Sequence, residues 1–186
     1  IAVLCLEEIG SLSPAMQKLL NPLLDWRCGL YVDALDKTFH LEEGSKLIVF
    51  ATSNPSSNGG IYELNQDLKS RFAIWTWDYP DIKNEMSMVN SSEIPYRFSK
   101  GIFRLAIETR ALEKSGSLDY SISTRDIADA FDLYRSYIAV DGINPKQLVL
   151  DLKVLGNYDT DDQIDTIKSR IESIFGKSIF TRENIQ

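Results

Sequence analysis

The sequence predicts an α/β unit with a parallel sheet, followed by a unit built from helices alone. Two continuously apolar runs, residues 1–6 and 47–51, have the composition of strands that are covered on both faces in a parallel sheet. Helical patterns separate the strand patterns, and only helical patterns follow them. We therefore predict an α/β domain over residues 1–79 and a helical domain over residues 80–186.

The first domain alternates strands with helices. After the first strand, Ser13 suits the cap of a helix and Pro14 suits its first position. Pro22 interrupts the apolar stripe that follows, so we expect it to kink this helix or shift its register. The remaining patterns are a hairpin, a short helix and a third strand, over residues 30–41, 63–72 and 73–77.

The second domain carries an apolar stripe at helical spacing in each of five segments. These segments are residues 81–89, 99–114, 124–137, 144–155 and 160–175. Either Ser123 or Thr124 would cap the third helix, and Asp126 in its first turn suits the positive end of the helix dipole.

Composition argues against several classes of function. The chain has 20 Lys and Arg against 27 Asp and Glu, so its formal charge is −7, which is a poor match to nucleic-acid phosphates. No apolar run approaches the roughly 20 residues that span a bilayer, and no signal-peptide pattern occurs, so we expect a cytoplasmic protein without membrane contact. The chain opens at Ile1 inside an apolar run, which suggests a fragment of a longer protein.

An acidic pair, Glu7 and Glu8, directly follows the first strand. Open parallel sheets bind ligands beyond the carboxyl ends of their strands, so this pair lies where a ligand would bind. An apolar strand followed by two acids has the Walker B form, in which the first acid helps to hold hydrated Mg²⁺ and the second polarises the attacking water. Two acids that merely open a solvated loop are the simpler alternative.

Asn54 follows the next apolar strand. If the two strands are parallel neighbours, their ends lie about 5 Å apart, and Asn54 stands beside the acidic pair. A neutral amide there would orient a water between a carboxylate and a phosphate without adding charge. The alternative is that Asn54 and Pro55 only begin a turn.

Two arginines are candidates for phosphate contacts. Arg71 ends the short helix and would reach the phosphate of a neighbouring subunit, with Lys69 as the competing cation. Arg125 lies in the first turn of a helix, where a cation is mildly unfavourable, and this misfit indicates a task such as meeting a phosphate. Solvated surface cations are the alternative for both arginines.

The order of these features resembles the AAA+ ATPases, and within them the MoxR and dynein-related branch, which includes midasin-like proteins. The segments that carry the resemblance are "VLCLEE", "LIVFATSNP", "ELNQDLKSRF" and "STRDIADAF", and together they span most of residues 1–137. The resemblance implies a P-loop NTPase-type sheet, of which this chain holds the C-terminal part, followed by an α-helical lid.

The resemblance also implies functional roles. Glu7 and Glu8 would be Walker B, with Glu7 holding Mg²⁺ through water; Asn54 would be sensor 1, Arg71 the arginine finger and Arg125 sensor 2. ATP and Mg²⁺ are the implied cofactors. A homo-oligomeric ring, with six subunits expected, and a protein substrate or a VWA-type protein are the implied partners.

The chain departs from the family pattern in two ways. Glu7 replaces the usual first Asp of Walker B, and no Gly-x-x-x-x-Gly-Lys-Ser/Thr phosphate loop occurs in the sequence. We therefore expect the phosphate loop to come from another chain or from a missing upstream segment, and the isolated chain to be inactive. Three functions remain open: an ATP-driven remodelling chaperone or motor, a non-enzymatic interaction module, and a GTP-using restriction subunit.

Overall fold

The computed structural model describes residues 1–54 and 62–180, which form two compact units. The first runs from Ile1 to Thr76, and the second begins at Trp77. The first contains a small parallel sheet with helices, and the second is helical, so the predicted α/β class is confirmed. The assignment of the two units to an AAA+ core and its lid stays a prediction.

The parallel sheet pairs the first apolar strand with the second. Strand β1 (Ala2–Leu6) lies beside β4 (Leu47–Ala51), and the register aligns Ala2 with Leu47 and Leu6 with Ala51. The two strands are therefore flush at their carboxyl ends, as the sequence predicted for parallel neighbours.

The expectation that both faces of these strands are buried is wrong for the described chain. Val3 and Cys5 of β1 and Ile48 and Phe50 of β4 share one face, and all four are exposed. The opposite face is half-buried. The apolar runs fix the strands, but what covers a strand depends on the elements that pack against it.

The other elements of the first unit are short. A helix, a two-stranded antiparallel hairpin and a second helix follow the chain order: α1 (Pro14–Leu19), β2 (Gly29–Val32), β3 (Lys37–His40) and α2 (Gln66–Lys69). The hairpin confirms the prediction for residues 30–41. Helix α1 ends before Pro22 instead of continuing with a kink, because the proline ring cannot be accommodated in a helix interior.

The predicted third strand does not form. Residues 73–77 have neither strand nor helix geometry, and Ile74 and Trp75 are 63% and 77% exposed. The described sheet therefore has only two parallel strands. β-Branched and aromatic residues favour a strand only when a partner strand and a packing surface are present.

The helical unit buries the main apolar core of the described residues. Its helices are α3 (Ile82–Met88), α4 (Tyr96–Lys114), α5 (Thr124–Tyr137), α6 (Pro145–Val149) and α7 (Asp161–Phe175). Phe103, Leu105 and Phe131 lie at the centre and are fully buried. None of the helices in the described ranges is long and apolar enough to cross a membrane.

The fourth predicted helix of this unit is irregular. After α6, the chain continues as a π-helical turn over Leu150–Val154 and a 3-10 turn over Leu155–Asn157. Val149, Leu150 and Val154 are buried, so this segment keeps its apolar face toward the core although the backbone changes its helical period.

Candidate functional site

The carboxyl ends of β1 and β4 are joined beyond the strands by backbone hydrogen bonds. The Thr52 N–H donates to the Leu6 carbonyl at 2.9 Å, and the Ile9 N–H donates to the Thr52 carbonyl at 2.9 Å. The Glu8 N–H donates to Thr52 Oγ1 at 3.0 Å. Glu8 is thus bound directly to the segment that leads to Asn54, two residues after Thr52.

The backbone of Glu8 adopts an unusual conformation. Its φ and ψ are 53° and 44°, in the left-handed region that residues with a side chain rarely occupy. The Ser11 N–H and hydroxyl both donate to the Glu8 carbonyl, at 2.9 and 2.7 Å, and help to hold this geometry. Strained positions that are held by hydrogen bonds cluster at functional sites, so the backbone conformation supports a role for Glu8. Turn residues such as Asp36 have the same left-handed conformation.

The side chains that end the strands face solvent. Glu7, Glu8 and Asn54 are exposed, and within residues 1–54 and 62–180 their side chains make no hydrogen bond or ion pair. Mg²⁺ commonly keeps several waters and uses one or two carboxylates together with substrate phosphates. An exposed carboxylate pair at a strand end fits such a partly hydrated ion. The described residues contain no cluster of three or more metal-binding side chains.

A buried glutamine holds the segment before α2 in place. The Gln17 side chain is 0% exposed; its Nε2 donates to the Leu12 carbonyl at 3.0 Å, and its Oε1 accepts from the Asn65 N–H at 2.8 Å. Gln17 therefore ties α1 to the residue that precedes α2, the helix that leads to Arg71. No pattern in the sequence predicts the role of Gln17, because a polar residue in an amphipathic helix carries no signal of burial.

Arg71 lies beside an acidic residue of the same unit. Its Nη1 is 3.7 Å from Asp25 Oδ2, and its side chain is 29% exposed. Asp25 also receives hydrogen bonds from Arg27, whose Nη2 is 2.6 Å from Oδ2. The hydrogen bonds from the Arg27 side chain and backbone, with the charges of both arginines, lower the pKa of Asp25 to about 2.

Lys69, the competing cation, is bound elsewhere. Its Nζ donates to Glu63 Oε1 at 2.9 Å, and this hydrogen bond lowers the Glu63 pKa. The Glu63 side chain is 79% exposed, so water screens the pair strongly. Lys69 at the end of α2 and Arg71 two residues later thus have different partners, and of these two cations only Arg71 adjoins a mostly buried carboxylate.

Arg125 is exposed at the second residue of α5. A capping box formed by Ser123 and Asp126 begins this helix, which decides between the two candidate caps in favour of Ser123. Among the described residues, Arg125 has no ion pair or hydrogen-bonded side-chain partner, although the helix dipole disfavours a cation there.

A buried ion pair supports the start of α5. Glu85 is 0% exposed and accepts from Arg110 Nη1 and Nη2 at 2.9 and 2.6 Å and from Thr124 Oγ1 at 2.6 Å. Arg110 Nε also donates to the Ile122 carbonyl at 2.9 Å, and its guanidinium stacks 3.8 Å from the Tyr79 ring. Burial raises the Glu85 pKa, but the hydrogen bonds and charge outweigh it, so the net shift is downward.

This network was not predicted from the sequence. Glu85 and Arg110 lie in separate helices, 25 residues apart, so no helical spacing relates them. A glutamate at a position that is apolar by helical periodicity would have been the only sequence signal.

Comparison with known proteins gives one distant relative. The chain is 27% identical over 139 residues to "Protein CbbQ" of Hydrogenophilus thermoluteolus, an alignment that covers 74% of this chain. It covers 51% of the relative, so the chain spans about half the length of the curated protein it matches. No protein-family model matches. At 27% identity the similarity is distant and does not by itself show the family of this chain.

Proposed function

We propose that this chain is part of a MoxR-type AAA+ ATPase that hydrolyses ATP to remodel or activate a protein partner. The parallel, flush pairing of β1 with β4 carries the proposal, because it brings Glu7, Glu8 and Asn54 to one end of the sheet. The distant similarity to CbbQ supports the same family. The phosphate loop that cradles ATP is absent from this sequence, so the proposal concerns the full-length protein.

Three side chains of the first unit would act on the attacking water and the metal. Glu8 polarises the water, and Asn54 donates or accepts a hydrogen bond that aims it at the γ-phosphate. Glu7 would help to hold Mg²⁺ through water. Mg²⁺, when bound, would offset the charge of the phosphates.

The two arginines would contribute positive charge. Arg71 would reach the nucleotide of the neighbouring subunit in a homo-oligomeric ring, where its planar fork suits phosphate oxygens. For Arg125 we propose a phosphate contact that reports the nucleotide state to the helical unit. Stabilisation by positioned charge explains why so few side chains suffice for this reaction.

Glu8→Gln in the full-length protein tests the proposal. We expect turnover of ATP to fall by at least about 100-fold, because a general base contributes roughly 10²- to 10⁴-fold. ATP affinity, measured by calorimetric titration, should stay within about threefold, because the amide keeps the size of the side chain. Glu43→Gln, which changes an exposed carboxylate between β3 and β4, serves as the control and should leave turnover unchanged.

The possible results separate the competing functions. Unchanged turnover in Glu8→Gln removes Glu8 from the proposed role. A wild-type protein that neither binds nor hydrolyses nucleotide favours the interaction module, which the replacement of the first Walker B Asp by Glu7 already supports. Preference for GTP over ATP in a competition assay assigns the restriction-type function instead.

A further inference from the structure

Asp25 is shared by two arginines in the first unit. Its side chain is 11% exposed, and it lines a cavity of about 200 Å³ together with Arg71. The two guanidinium groups and one carboxylate have a formal charge of +1, so the cluster still attracts an anion. Screening by water is weaker here than around the exposed pair of Lys69 and Glu63, because Asp25 is largely buried.

The two arginines use Asp25 differently. Arg27 takes both carboxylate oxygens: its Nε lies 3.0 and 3.2 Å from them, and its Nη2 lies 2.6 Å from Oδ2. Its backbone N–H also donates to Oδ1 at 2.9 Å. Arg71 lies at 3.7 Å, beyond hydrogen-bond range, so the charge of Asp25 attracts its guanidinium without occupying its N–H donors.

The donors of Arg71 therefore remain available. In the part of the chain that the structure describes, no acceptor forms a hydrogen bond with its guanidinium. Arg110 is the opposite case, since Glu85 and a backbone carbonyl accept from three of its nitrogens. An arginine that is oriented by charge but not consumed by hydrogen bonds is suited to bind a phosphate that arrives from outside.

We propose that Asp25 is a positioning residue that orients Arg71 toward the nucleotide phosphate of the neighbouring subunit. This inference rests on the proposed function. A free arginine side chain has many rotamers, and restricting it before the transition state forms lowers the entropic cost of the contact. Asp25 does not touch the nucleotide and acts only through Arg71.

The first test is a double-mutant cycle on ATP hydrolysis by the full-length protein. We expect Arg71→Ala to lower kcat by at least about 10³-fold, as for an arginine finger. Asp25→Asn should lower kcat by about 10- to 100-fold, the range for a misplaced catalytic group or a lost supporting carboxylate, with KM for ATP unchanged. In the Arg71→Ala background, Asp25→Asn should have no further effect.

Two further variants separate positioning from a general loss of structure. Asp25→Glu keeps the charge but displaces the carboxylate by one methylene, and it should give a smaller loss of kcat at the same KM. It remains informative if Asp25→Asn does not fold. Glu63→Gln releases Lys69, which ends α2 two residues before Arg71, and should leave kcat unchanged.

Mixed rings test the action on a neighbour. Subunits with Glu8→Gln have an inactive site but an intact Arg71, and subunits with Asp25→Asn have the reverse. Mixing the two should restore turnover above the level of either variant alone, because every intact site that adjoins a Glu8→Gln subunit then receives an intact arginine. No restoration means that Asp25 acts within its own subunit and overturns the inference.

The outcomes distinguish this inference from the proposed function. If Arg71→Ala loses turnover but Asp25→Asn stays within about twofold of wild type, or if the two losses multiply, the positioning role is wrong and the ATPase function stands. If Arg71→Ala has no effect, the finger role fails and the inference fails with it. If the wild-type protein hydrolyses no ATP, the proposed function itself is refuted.

Discussion

Replacing Arg110 by Met is expected to destabilise the helical unit by about 3–5 kcal/mol at neutral pH. The change removes two hydrogen bonds to the fully buried Glu85 and one to the Ile122 carbonyl. Among the described residues, the Glu85 side chain then keeps only the Thr124 hydroxyl as a hydrogen-bond partner. Removing one partner of a buried ion pair is costly because the other charge stays buried without compensation.

Thermal and urea unfolding, followed by circular dichroism, measure this loss of stability. For a unit of this size, each kcal/mol of lost stability lowers the melting temperature by about 4 °C, so the melting temperature should fall by roughly 12–20 °C. Arg104→Met on the same helix is the matched control. Arg104 pairs with Glu108 at 2.9 Å, but its side chain is 61% exposed, so we expect a loss below about 0.5 kcal/mol.

The pH dependence provides a second readout. In the wild type, the lowered Glu85 pKa contributes stability above its unfolded value of 4.5, and this stability is lost as the pH falls through the folded pKa. In Arg110→Met, burial raises the Glu85 pKa, so the folded state binds the extra proton and stability falls as pH rises. The difference in the free energy of unfolding between the wild type and Arg110→Met should therefore grow from pH 4 upward.

The double variant Glu85→Leu with Arg110→Met completes the test. It removes both charges, and we expect it to recover most of the loss, because an apolar replacement of a buried pair is often neutral or stabilising. The reasoning would be refuted if the free energy of unfolding of the single Arg110→Met variant lay within about 1 kcal/mol of the wild-type value and if this difference did not grow at higher pH.

Two further predictions concern helix packing and capping. Gly101→Ala should destabilise the helical unit by about 1 kcal/mol or more, although Gly to Ala in a helix usually stabilises, because the added Cβ would overlap the Phe175 ring. Increased stability on urea unfolding would show that the ring moves aside freely. Ser123→Ala should lower the free energy of unfolding by about 1 kcal/mol, because the hydrogen bond from the Asp126 N–H to Ser123 Oγ is lost. Ser123→Asp, whose carboxylate can still cap the helix, should retain most of the stability. Equal stability of the two variants would mean that the cap contributes nothing.

Local sequence signals predicted the regular elements well where the deciding contacts are local. Helix α5 has the predicted bounds, residues 124–137, because its cap and first turn lie within four residues of each other. Helix α1 begins at Pro14 as expected but ends at Leu19, before Pro22, so neither the kink nor the shift of register that was expected at Pro22 occurred. The helical period is broken after α6, where packing of Val149 and Val154 is retained through a π-helical turn.

The strand signals were less complete. The apolar runs identified β1 and β4 and their parallel pairing, but not the exposure of one face or the absence of a strand at residues 73–77. The sequence also supplied Glu7, Glu8 and Asn54, because motifs that follow strands are continuous in the chain. The turn that Pro55 was expected to begin lies outside the described residues.

By itself, the sequence determined most of the elements and the polar residues that end the strands, because those depend on spacing, caps and breakers within a few residues. Only the tertiary structure decided which charges meet: Asp25 with Arg71, Glu85 with Arg110, and Gln17 with the segment before α2. These contacts join residues 25 to 48 positions apart, and two of the three involve side chains that are fully buried. Burial and pairing of polar groups arise from how the elements pack, and no local pattern in the chain records that arrangement.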